Sequence, residues 1–164
     1  MSTEPMEEVT RYRQDLMARY GEQPIWLRER IQAYTKEGQH VPLGDGEWTP
    51  HQVLAHVVAA ETEAMLPRLR RIASEVDPFL ETWDETGWMA EQYDDTVETG
   101  ALLAGFDRLR QQGQTLLAGL SGEDWSRTGR HGSQGTRTLQ WWLEYTVAHV
   151  DDHLSQLDSA AEGA

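Results

Sequence analysis

Apolar residues recur at three- and four-residue spacing in four long segments, and Gly- and Pro-containing stretches separate them. Nowhere does a run of β-branched residues alternate with polar ones. A period near 3.6 places such residues on one face of a helix, whereas a strand needs a period of two. This patterning predicts an all-α domain. The length of 164 residues fits one domain spanning residues 1–164.

The first segment runs from about Glu7 to Lys36, with Leu16, Met17, Tyr20, Trp26, Leu27, Ile31 and Tyr34 on its apolar stripe. Pro24 lacks the amide proton a helical ladder uses, so two helices, or one broken helix, are expected there. The stretch GQHVPLGDGEW reads as a loop. Thr49 then caps a second helix with Pro50 at its first position. Leu54, Val58, Met65, Leu69 and Ile72 share one face of it, and Pro67 predicts a kink. A short helix is expected around Asp84–Tyr93. The third long helix covers about Glu98–Leu120, with Leu102, Phe106, Leu109, Leu116, Leu117 and Leu120 as its stripe. RTGRHGSQGTRT reads as a polar loop, and the last helix begins near Thr138. Four helices with moderately long links predict a four-helix bundle. Residues 1–5 and 160–164 are expected to be disordered.

Charge narrows the function. With 28 acidic against 14 basic residues the net charge is −14, which repels phosphate backbones and anionic lipid. Nucleic acid and membrane are therefore not expected partners. The one basic cluster, RLRRI at 68–72, does not point its three arginines one way on a helix. The N-terminus is polar and acidic, no run of apolar residues is long enough to span a bilayer, and a cytoplasmic protein is expected. With no cysteine, a metal site must use histidine, carboxylate or backbone oxygen.

His149 and His153 stand four apart in AHVDDHL, on one helix face and within reach of a single ion. On spacing alone they read first as hydrogen-bonded or partly exposed helix residues. His56, two turns into the second helix, adds a third imidazole. Three protein nitrogens with open positions suit a catalytic ion better than a structural one. Two carboxylates are candidates for acid–base work. Glu61 falls on the apolar face, about 140° round a regular helix from His56, and Glu63 shares the His56 face two turns on. Arg130 and Arg137 are candidates for an anionic substrate. His40, His51 and His131 read as surface histidines, and the tryptophans read first as packing.

The pattern from Trp48-Thr-Pro through His56 to Glu61, followed by His149-x-x-x-His153-Leu-x-Gln156-Leu, resembles the DinB/YfiT-like superfamily. PRLRRI, DPFL and GRHGSQGTRTL add to the likeness, which covers residues 45–158. The resemblance implies an up-down-down-up four-helix bundle, commonly a homodimer. It also implies a divalent metal on His56, His149 and His153, nickel or zinc first, iron or manganese next. Characterised relatives include transferases that use low-molecular-weight thiols such as mycothiol or bacillithiol, and metal-dependent hydrolases. A small-molecule substrate, with a thiol cosubstrate if the chemistry is thiol transfer, is the expected partner. The alternative is a non-catalytic, stress-related binding or dimerisation module with a structural or vestigial histidine site.

Overall fold

The computed structural model describes residues 4–162. Its helices are α1 (Glu4–Gln32), α2 (Pro50–Ala60), α3 (Leu66–Ser74), α4 (Glu85–Glu91), α5 (Thr99–Ala118) and α6 (Leu139–Glu162). A π-helical turn, Glu61–Met65, joins α2 to α3 into one continuous rod. The helical bundle is therefore α1, α2–α3, α5 and α6. Helix covers positions 4–5 and 160–162, where disorder was expected. The remaining terminal positions, 1–3 and 163–164, lie outside the described residues.

Contacts along the rods give their directions. Tyr12 meets Glu144, Arg19 meets Asp151 and Arg30 meets Asp158, so α1 and α6 run parallel. Glu61 meets Arg110 and Arg70 meets Gln112, so α2–α3 and α5 also run parallel. His56 faces His149 while Arg68 faces Trp142, so α2–α3 and α6 are antiparallel. That is an up-down-down-up bundle.

Pro24 does not break α1. Its missing amide would have bonded the Tyr20 carbonyl one turn back, and that oxygen instead accepts from Arg110 Nη1 at 2.8 Å. Pro67 acts as expected but more gently. It cannot donate to the Glu63 carbonyl, and the preceding turn widens to a π-turn in which Leu66 N–H bonds Glu61 O.

A small sheet was not foreseen. β1 (Phe79–Leu80) runs parallel to β2 (Thr128–His131), and β2 runs antiparallel to β3 (Gly135–Thr138). The stretch read as a loop is a hairpin, re-entered through Gly135 at φ +69°. Its inward residues are Gly129 and His131, neither of which gives an apolar alternation to read.

Two apolar clusters fill the bundle. One gathers Leu16, Leu69, Ile72, Leu117, Trp125, Leu139, Trp142 and Leu143. The other gathers Leu27, Ile31, Leu54, Leu103, Phe106, Val150 and Leu154. Between them lie buried polar side chains, Gln23, Glu61, Arg110 and Thr146. The inward face of α5 is Leu103, Phe106, Arg110, Gly113 and Leu117, rotated from the stripe read off its leucines.

Candidate metal centre

His56 is delivered by the start of α2. Thr49 Oγ1 accepts from Gln52 N and Gln52 Oε1 accepts from Thr49 N, a reciprocal capping box, with Pro50 leading the helix. This fixes where α2 begins, and two turns later His56 points inward with 1 % exposure. His149 and His153 come from adjacent turns of the antiparallel α6. One ring nitrogen from each of the three lies within 4.8 Å of the others.

Nε2 of His56 and Nε2 of His149 are 3.0 Å apart. Two nitrogens about 2.1 Å from one ion are separated by about 3.0 Å at a right angle and about 3.4 Å at a tetrahedral one. The pair therefore has the spacing of two ligands to one ion. Burial, then the nearby His153, pushes His56 down to about 4. Burial again leads for His149, with His153, His56 and Arg110 adding to it, and lowers it to about 3. Both rings are neutral at pH 7, as ligands must be. His153 sets its Nδ1 3.0 Å from Gln156 Oε1, a contact that holds the proton on Nδ1 and leaves Nε2 free to ligate. His56 Nδ1 is buried without a partner among the described residues. The donor set fits zinc, nickel or iron(II).

Aromatic rings wall the cluster. The Trp48 ring lies 4.9 Å from that of His56 and 6.4 Å from that of His153, and Trp83 lies 5.7 Å from His56. Both tryptophans cover His56, while His149 and His153 stay partly exposed.

The two carboxylates favoured on sequence are placed elsewhere. Glu61, 2 % exposed, accepts from the Tyr20 hydroxyl at 2.9 Å and pairs with Arg110 at 3.2 Å. Glu63 is exposed, and neither belongs to the imidazole cluster. The carboxylate that reaches the site is Glu85, with Oε2 3.7 Å from His56 Nε2. Asp84 caps the short α4 by accepting from Gly87 N at 3.0 Å, which sets Trp83 and Glu85 on either side of the cap. That Asp-x-x-Gly signal was readable, but it marks a helix start and not the distant helix it faces.

His51 and His131 are also not surface residues. His51 is fully buried, with Tyr93 Oη 2.7 Å from Nδ1 and the Val97 carbonyl 2.8 Å from Nε2. His131, 7 % exposed, lines a cavity of about 160 Å³ that reaches His149. Arg130 pairs with Asp77, and Arg137 stacks over Trp141. A larger open cleft of about 540 Å³ lies between the end of α1 and the entry to α5, but no metal-ligating cluster forms there among the described residues.

Residues 25–157 match the DinB superfamily. A relative from Oceanobacillus iheyensis is 29 % identical over 136 residues, covering 83 % of this chain and 78 % of its own. YfiT of Bacillus subtilis is 23 % identical over 155 residues, covering 93 % of this chain and 86 % of its own. Both carry the name "putative metal-dependent hydrolase". The solved structure of YfiT, described as having an unusual four-helix bundle topology, superposes with a TM-score of 0.85 at 22 % identity, over 92 % of this chain and 86 % of that one. A second four-helix bundle protein superposes at 0.63 with 22 % identity, over 90 % and 98 %.

Proposed function

This chain belongs to the DinB superfamily, and on that premise we propose that it is a metal-dependent enzyme in which His56, His149 and His153 hold one divalent ion. The observation that carries the reading is the 3.0 Å approach of two imidazole nitrogens, one from the buried His56 and one from the partly buried His149. At that distance the two nitrogens share either a cation or the Nε2–H of one neutral ring, and the third imidazole, His153, with its Nε2 free, favours the cation. A divalent ion bound there acts as a Lewis acid and lowers the pKa of a water or thiol.

The chain's own groups supply the rest. Glu85 Oε2, 3.7 Å from His56 Nε2, takes the proton of the incoming nucleophile as general base. Its side chain is 53 % exposed, so it passes that proton on to solvent. Trp48 and Trp83 pack against His56 and leave the partly exposed His149 and His153 open to substrate. With water as nucleophile the reaction is hydrolysis, the reading favoured by the names of the relatives. With a low-molecular-weight thiol it is thiol transfer, and the thiol comes from a cosubstrate because the chain has no cysteine.

The test uses protein purified without a nickel column and assayed on ester and amide substrates, with and without added thiol. Glu85→Gln should keep its metal and fold while turnover falls about 10²- to 10⁴-fold. His149→Ala should lose both metal and turnover. Native protein that binds no divalent ion would overturn the reading in favour of a non-catalytic module.

A further inference from the structure

The cavity that reaches His149 is lined at its other end by an unusual set of hydrogen-bond donors. Arg68 is 9 % exposed and forms no ion pair with any described residue. Its Nη2 donates to the Glu81 carbonyl at 2.9 Å, while its Nε is buried without a partner. The guanidinium lies 4.9 Å from the Trp142 ring centre, and Trp142 Nε1 is also buried and unpartnered. His131 completes the set. Its Nδ1 accepts from the backbone amides of Ser133 and Gln134, both at 3.3 Å, with the Ser133 hydroxyl 3.2 Å away as a further donor. That assignment puts the proton of the neutral ring on Nε2. Nε2 then faces Arg68 Nη2 at 3.4 Å, donor against donor.

Arg68, His131 and Trp142 thus bring N–H groups and one buried positive charge to a cavity of about 160 Å³ whose one lining carboxylate, Glu85, pairs with none of them. The side-chain partner of Arg68 among the acceptors is the weak Met65 Sδ, 4.0 Å from Nη1. Burial of an unpaired cation costs several kcal/mol unless an anion is supplied. In the buried Arg110 the chain supplies one itself, through Glu61. At Arg68 it does not.

We propose that Arg68, with the Nε2–H of His131 and the Nε1–H of Trp142, forms a subsite for the carboxylate of a small substrate whose reacting end lies at the imidazole cluster. A single guanidinium presents a planar fork that matches a carboxylate in two hydrogen bonds. One positive charge in a chain of net charge −14 suits a monoanion better than a phosphate dianion. Trp142 precedes His149 by seven residues on α6, so the carboxylate sits about 10 Å along the helix axis from the metal ligands. The position of the reacting end rests on the metal reading of the previous section. The carboxylate subsite does not need it.

The test is calorimetric titration of the full chain with butyrate, with neutral butyramide as the uncharged analogue and inorganic phosphate as the competing anion. Butyrate should bind saturably, and butyramide and phosphate should bind at least tenfold more weakly. Arg68→Met keeps the side-chain volume and removes the charge. It should weaken butyrate about ten- to a hundredfold, the worth of a hydrogen bond to a charged group. Trp142→Phe keeps the ring and removes the donor, and should weaken butyrate severalfold should Arg68→Met fail to fold. His149→Ala should still bind butyrate, so a metal site that fails leaves this result standing on its own. Equal affinity for butyrate and butyramide, tighter binding of phosphate, or full affinity in the folded Arg68→Met and Trp142→Phe proteins would overturn the proposal.

Discussion

Two buried polar centres sit side by side in this bundle, and they are built on opposite terms. In the first, Glu61 and Arg110 neutralise each other, Tyr20 donates to Glu61, and Arg110 also donates to Gln23 and to the carbonyl freed by Pro24. Charge and nearly every hydrogen-bonding group find partners inside the chain. In the second, His56 and His149 bring like atoms to 3.0 Å, Arg68 has no anionic partner, and Arg68 Nε and Trp142 Nε1 are buried without an acceptor. A self-satisfied centre holds helices in register. A centre that gathers three imidazoles at one end and an unpaired guanidinium at the other is arranged for something that binds.

The largest effect should come from breaking the self-satisfied centre. Glu61→Ala strands a buried guanidinium and should cost about 3–5 kcal/mol in urea unfolding. Replacing both partners, Glu61→Leu with Arg110→Met, should recover most of that loss. If Glu61→Ala were instead nearly neutral for stability but abolished metal binding, the two centres would have to exchange roles. Next comes ligand supply to the second centre. A divalent ion at 100 times its Kd should stabilise the folded chain by about 2.7 kcal/mol, or about 5–10 °C in Tm for a domain of this size. The gain should vanish in His149→Ala. Gly113→Ala tests the packing of the first centre, because a Cβ at 113 would overlap the Tyr20 hydroxyl that serves Glu61. Overpacking of about 1–3 kcal/mol outweighs a helix-propensity gain of about 1 kcal/mol, so the variant should unfold at lower urea. The smallest effect is expected outside both centres. Arg19→Ala removes an exposed ion pair with Asp151 and should change stability by less than about 1 kcal/mol.

The same contrast explains what could be read from the sequence. The four rods, the Thr49-Pro50 start of α2 and the three histidines were all legible, because caps and helical spacing are local signals. The family likeness supplied the order of the rods, and contacts between them confirm it. The role of Glu61 was not legible. Its oddness on an apolar face was plain, but its partner Arg110 lies 49 residues away, in a segment whose apolar residues alone carry the helical pattern. The inward face of α5 was misjudged for the same reason, since Arg110 and Gly113 carry no hydrophobic signal. Glu85 and Arg68 were missed because each gains its meaning only from a distant element, His56 for one and Trp142 with His131 for the other. The hairpin of β2 and β3 escaped because its buried positions are a glycine and a histidine.

The central claim is that the imidazole cluster is a metal site. The most direct test is a calorimetric titration of metal-free protein, purified without a nickel column, with zinc and with nickel. One ion should bind per chain in the wild type, and none at the same concentrations in His149→Ala. A wild-type chain that takes up no ion, or a His149→Ala chain that binds as tightly as the wild type, would contradict the claim.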